Sequence, residues 1–151
     1  MATATRDPVV MQFDVEAVRL DSRNDLMRVS EVSAVSLKLW ESEGTLKRSL
    51  GEGWNIRDAV VAMACFLLSM HRRKRLHGKA ARLIYNTDLR GLMESSGDDV
   101  LLLVEGESLR IWSRGERLPD QMHGIEFISL TELWNRAAFN MAALMAGTDG
   151  E

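Results

Sequence analysis

Two charged clusters in this sequence have the residue types and density to do chemistry. The first is basic: His71-Arg72-Arg73-Lys74-Arg75, followed by His77, Lys79 and Arg82. Six of the chain's 19 lysines and arginines fall between Arg72 and Arg82, leaving 13 basic against 22 acidic side chains elsewhere, a balance of −9. A chain that is acidic except for one basic segment has a polarised field, and such a field steers an anionic partner. If the segment is one helix, Arg72, Arg75, Lys79 and Arg82 recur at spacings of three, four and three and share one stripe. Leu76, Ala80 and Leu83 then form an apolar edge beside it. That stripe suits phosphates or an acidic protein surface. The plainer alternative is a solvated helix terminus, whose cations complement the negative end of the helix dipole.

The second cluster is acidic: Asp98, Asp99, Glu105 and Glu107. Asp98, Asp99 and Glu105 could in principle hold Mg²⁺ for a nuclease. Against this, Asp99 and Glu105 are six residues apart, roughly 20 Å along an extended strand. Asp-Asp after Ser-Ser-Gly is also ordinary turn chemistry. His71, His77 and His123 offer no ligand spacing, and Cys65 is the only cysteine available to help them, so neither a metal nor a cofactor is expected. Cys65 lies among Ala, Met, Phe and Leu, a dry setting that raises a thiol pKa and argues against a nucleophile. No Gly-x-Ser-x-Gly elbow occurs, and Gly51-Glu-Gly53 lacks the Lys-Ser/Thr of a phosphate loop.

The elements that must position these side chains belong to an ordinary folded chain. At 151 residues, 46% hydrophobic and 27% charged, the sequence fits one domain over 9–147, with a polar tail at 1–8 and a frayed end at 148–151. A net charge of −3 argues against a wholly basic nucleic-acid binder. One cysteine precludes an intramolecular disulfide, and Met1–Pro8 lacks a signal-peptide pattern, so a reduced, cytoplasmic setting is expected. The apolar run Ala59–Met70 has 12 residues, too few to span a bilayer, and reads as a buried helix.

Along the chain, alternation from Val9 to Ala17 predicts a half-buried strand. Leu26 onwards predicts a turn or short helix. A strand over 34–40 follows, turning at Glu41–Gly44 into a hairpin partner at Thr45–Leu50. Asn55 and Asp58 form a capping box for a helix from Ile56 to Met70, with Gly78 as the stop beyond its basic end. Ala80–Tyr85 fits either helix or strand. Thr87 caps a short helix to about Ser95. The clearest β signal is Val100–Glu105, a Gly106-Glu107 turn and Ser108–Trp112, followed by a polar loop around Pro119. A short strand at Ile125–Ile128 leads into a last helix capped by Ser129 or Thr131. The fold class is therefore α+β, a small, mostly antiparallel sheet packed against a central apolar helix and a C-terminal helix.

Nine methionines are a mild excess, consistent with core or with a helix–helix homodimer seam. The four tryptophans sit at element ends, as core-edge anchors. The functional expectation is a non-catalytic binding or regulatory protein. It would dock an anionic or acidic macromolecule through Arg72, Arg73, Lys74, Arg75, Lys79 and Arg82, beside apolar surface. A protein partner is favoured over nucleic acid. Nucleic-acid binding by the same residues is the alternative, and a nuclease using Asp98, Asp99 and Glu105 is a distant third.

Overall fold

The computed structural model describes residues 14–48, 51, 53–96, 100–113 and 125–147. These form helices α1 (Arg23–Ser30), α2 (Ala34–Ser42), α3 (Ile56–Met70), α4 (His77–Tyr85) and α5 (Leu89–Ser96). Strands β1 (Val100–Glu105), β2 (Ser108–Ser113) and β3 (Ile125–Ser129) follow, and helix α6 (Leu130–Met145) closes the series. Short 3-10 turns lie at Val15–Ala17 and Lys74–Leu76. The fold is α+β: an antiparallel sheet in the order β2-β1-β3, packed against helices.

Helix α3 begins as its sequence dictates. The Asn55 side chain accepts from the N–H groups of Arg57 and Asp58, and the Asp58 carboxylate accepts from the Asn55 N–H at 2.9 Å. Orphan donors at the helix start are thus satisfied from within the chain. Ala59 through Cys65 are all buried, so the helix is covered on most of its circumference by α4, α6 and α1. Burial of this kind, worth roughly 25 cal/mol per Å² of apolar surface, is the main stabilising term of the fold. Val100, Leu102 and Val104 of β1 point into the same core as α3, joined by Trp134, Ala137 and Met141 of α6.

The hairpin forms where predicted. Glu105 pairs with Ser108 across Gly106-Glu107, and Gly106 takes φ +61, which a glycine adopts without steric cost. Ser129 caps α6, accepting from the Glu132 N–H at 3.1 Å.

Four expectations are corrected. Residues 34–42 are helix, not the first strand of a hairpin to Leu50: Ser33 accepts from the Ser36 N–H, and Leu37 and Trp40, one turn apart, are the residues that bury. The Val35, Leu37, Leu39 alternation is incidental, since Val35 and Leu39 face solvent. Val15–Ala17 is a 3-10 turn capped by Asp14, not the end of a strand; residues 9–13 of that expected strand lie outside the described residues. Gly78 does not stop α3 but sits inside α4. The cap of α5 is Asp88, which accepts from the Gly91 N–H, whereas the Thr87 hydroxyl donates back to the Leu83 carbonyl. The expected tails, Asp98, Asp99, the loop around Pro119 and His123 also lie outside the described residues.

Candidate partner-binding groove

The basic segment is shaped by how α3 ends. Arg72 has φ +60, in the left-handed region. Its N–H donates to the Ser69 carbonyl at 3.0 Å, and the Arg73 N–H donates to the Leu68 carbonyl at 2.7 Å. This pair of bonds closes the last turn in the manner usual for a left-handed residue just past a helix. The position normally suits glycine, and an arginine there costs about 1 kcal/mol. The chain then reverses through Lys74–Leu76, whose Leu76 is buried, and re-enters a helix at His77.

The continuous stripe is therefore broken at Arg72, and the six cations go to different places. Arg73 lies 3.6 Å from Glu126 of β3. Arg75 pairs with Glu107 of the hairpin turn, and this arginine holds the Glu107 carboxyl below its ordinary range. Lys74 lines a hollow of about 370 Å³ with Leu39, Phe66, Ser69 and His77. Arg72 is exposed. Only Lys79 and Arg82, three residues apart on α4, remain side by side.

Lys79 and Arg82 form one wall of a groove of about 620 Å³, with Leu83, Asn86 and Thr87; Glu107, Ser108 and Leu109 form the other. Lys79 Nζ donates to the Glu107 carbonyl at 3.0 Å, which ties α4 to the hairpin. Arg82 makes no ion pair among the described residues. It also borders a smaller hollow of about 170 Å³ that contains Lys47 and Gly78. The groove thus offers cations at its rim and an apolar floor of Leu83 and Leu109, a composition suited to an amphipathic anion.

A second constellation escaped the sequence reading. Ser69 Oγ and His77 Nε2 are 2.9 Å apart, and the His77 ring meets Trp40 edge-on at 5.3 Å. Burial lowers the His77 pKa below its ordinary value. A hydrogen-bonded serine–histidine pair is the beginning of a nucleophilic site. Here, however, Ser69 sits in the last turn of α3, where the helix dipole is negative and opposes a developing oxyanion. The Arg72 and Arg73 N–H groups beside it already donate to helix carbonyls. The pair acts as a clamp between α3 and α4. No local signal marks it, because the partners meet only after the reversal at Arg72.

The N-terminal end of α3 carries another polar group, and it is dry. Asp58 is buried and accepts from the Tyr85 hydroxyl at 2.5 Å; that hydroxyl accepts from the Lys47 N–H at 3.1 Å. Burial, reinforced by the Asp58 charge, pushes the Tyr85 pKa up. Arg57 donates to the Tyr85 carbonyl at 3.1 Å. Burial likewise pushes the Cys65 thiol to about 12, so it is no nucleophile. Glu105, at the end of β1, is exposed, and among the described residues no group of three or more His, Cys, Asp or Glu is placed to hold a metal ion. No helix among the described residues is long and apolar enough to cross a membrane. No protein-family model, curated protein or solved structure matches the chain.

Proposed function

We propose that this chain is a non-catalytic binding protein that docks an acidic macromolecular partner in the groove between α4 and the start of β2. The observation that carries this reading is the placement of Lys79 and Arg82 together on the rim of that groove, over Leu83 and Leu109. Arg72, Arg73, Lys74 and Arg75 lie on the same stretch of chain and extend the positive field that attracts the partner. Long-range attraction raises the rate of encounter, and burial of the apolar floor slows release.

The test is capture of partner by the wild-type chain and by Lys79→Glu/Arg82→Glu. The double variant should lose at least about tenfold in affinity while its melting midpoint stays put, because both positions are exposed. Equal recovery by both proteins overturns the reading. A titration with mixed-sequence oligonucleotide decides between partner classes. Retardation that collapses steeply with salt would assign the cations to phosphates instead of to an acidic protein.

A further inference from the structure

The groove runs beside an unpaired strand edge, and this determines the shape of what it can hold. In the order β2-β1-β3, strand β2 has a neighbour on one side only. The two-residue turn makes Glu105 and Ser108 a hydrogen-bonded pair. Alternation along the antiparallel ladder then directs the backbone groups of Arg110 and Trp112 toward β1, and those of Leu109 and Ile111 toward the open edge. No backbone hydrogen bond from another described element reaches Leu109 or Ile111. Strand edges are commonly protected by proline, bulges or several charges. Strand β2, Ser-Leu-Arg-Ile-Trp-Ser, has an unbroken register and a single charge.

We infer, on the basis of the reading proposed above, that the partner contributes an extended acidic peptide that adds to β2 as a fourth strand. Its main chain bonds to the outward N–H and C=O groups of Leu109 and Ile111. Its side chains on one face reach α4, where two acids at alternate positions, roughly 7 Å apart, meet Lys79 and Arg82. Its other face passes Arg110, which is exposed. Charge selects this occupant over a second copy of the chain. Pairing β2 with its own copy would bring two Arg110 side chains, and two sets of groove cations, toward each other, and like charges across a strand pair are unfavourable. Backbone bonds supply affinity in this mode and the alternate side chains supply specificity.

The experiment titrates the intact chain with a labelled ten-residue peptide of alternating Glu and Val, read by fluorescence anisotropy. Two N-methylated forms of the same peptide are titrated alongside, one blocked at the Glu amides and one at the Val amides. The inference expects one methylated set to weaken binding at least tenfold and its complement to bind like the parent. It also expects Lys79→Glu/Arg82→Glu to weaken the parent peptide. Equal binding by both methylated forms, with the charge reversal still effective, overturns strand addition and leaves the groove reading standing. Binding indifferent to the charge reversal overturns both. Absence of parent-peptide binding up to 1 mM overturns strand addition, and the groove reading then rests on partner capture. A concentration-dependent dimer that excludes the peptide assigns the edge to a second copy and overturns the inference.

Discussion

The two ends of helix α3 solve the same problem in opposite ways. At the start, Asn55, Asp58 and Tyr85 place their polar groups in the interior, each matched by a partner held at hydrogen-bond distance. At the end, Arg72 to Arg75 remain near the surface, and their ion pairs with Glu107 and Glu126 are solvent-accessible. A polar group in the dry interior is costly without its partner, so the first network is bound to stability. Exposed ion pairs contribute little net stability, so the second end can be rearranged by a partner at small cost. The contrast separates residues that hold the fold from residues available for binding.

The largest effect should come from the dry end. Asp58→Ala removes the acceptor of both the Asn55 N–H and the Tyr85 hydroxyl. It should destabilise the fold by about 3 kcal/mol or more in denaturant unfolding, since bonds to a charged acceptor are each worth roughly 1.5–3 kcal/mol. Tyr85→Phe leaves Asp58 its cap bond and should cost about 1 kcal/mol. Unfolding midpoints unchanged in both variants would break the comparison at its stronger side.

At the other end the sign reverses. Arg72 occupies a left-handed backbone position, so Arg72→Gly should stabilise the protein by about 0.5–1 kcal/mol, visible as a higher melting temperature. A loss of stability on this substitution would mean that the side chain, not the backbone, matters there.

Between the two ends in expected size is the clamp at His77. Burial keeps its folded pKa below the ordinary value of about 6.5. Glu43 opposes that shift, Lys74 adds to it, and Ser69 Oγ bonds the ring. A base with a depressed folded pKa binds its proton more readily in the unfolded chain. Stability is then complete above about pH 6.5, declines as pH falls through that value, and levels off below the folded pKa. Glu31 and Glu41 have lowered pKa values because Asn140 and Arg136, and Arg23 and Arg48, respectively bond them, so their contribution fades only in stronger acid. Melting temperatures at pH 7.5 and 5.5 should therefore differ in the wild type and differ less in His77→Gln. Identical pH slopes would remove His77 as the cause.

Helix α3 and its cap, the β1–β2 hairpin, β3 and α6 with its Ser129 cap were legible because each is specified by neighbours a few residues away. Asn55 and Asp58 are three residues apart, and Gly106 answers a requirement of its own turn. Helix α2 was misread because its burial pattern rests on Leu37 and Trp40, and Trp40 finds its ring partner His77 only through the fold. The candidate site was half legible. The basic residues were visible as a group, but not the hairpin that divides them between Glu107, Glu126 and the groove.

The composition, the charge imbalance and the local cap and turn chemistry determined that this chain is α+β, with a buried central helix followed by cations. Whether those cations form a stripe was a matter of the tertiary structure alone. The backbone reversal at Arg72 aims successive side chains in different directions, and the acids that receive two of them come from strands far along the chain. Electrostatic pairing depends on distance in space, which sequence spacing encodes only within a single regular element.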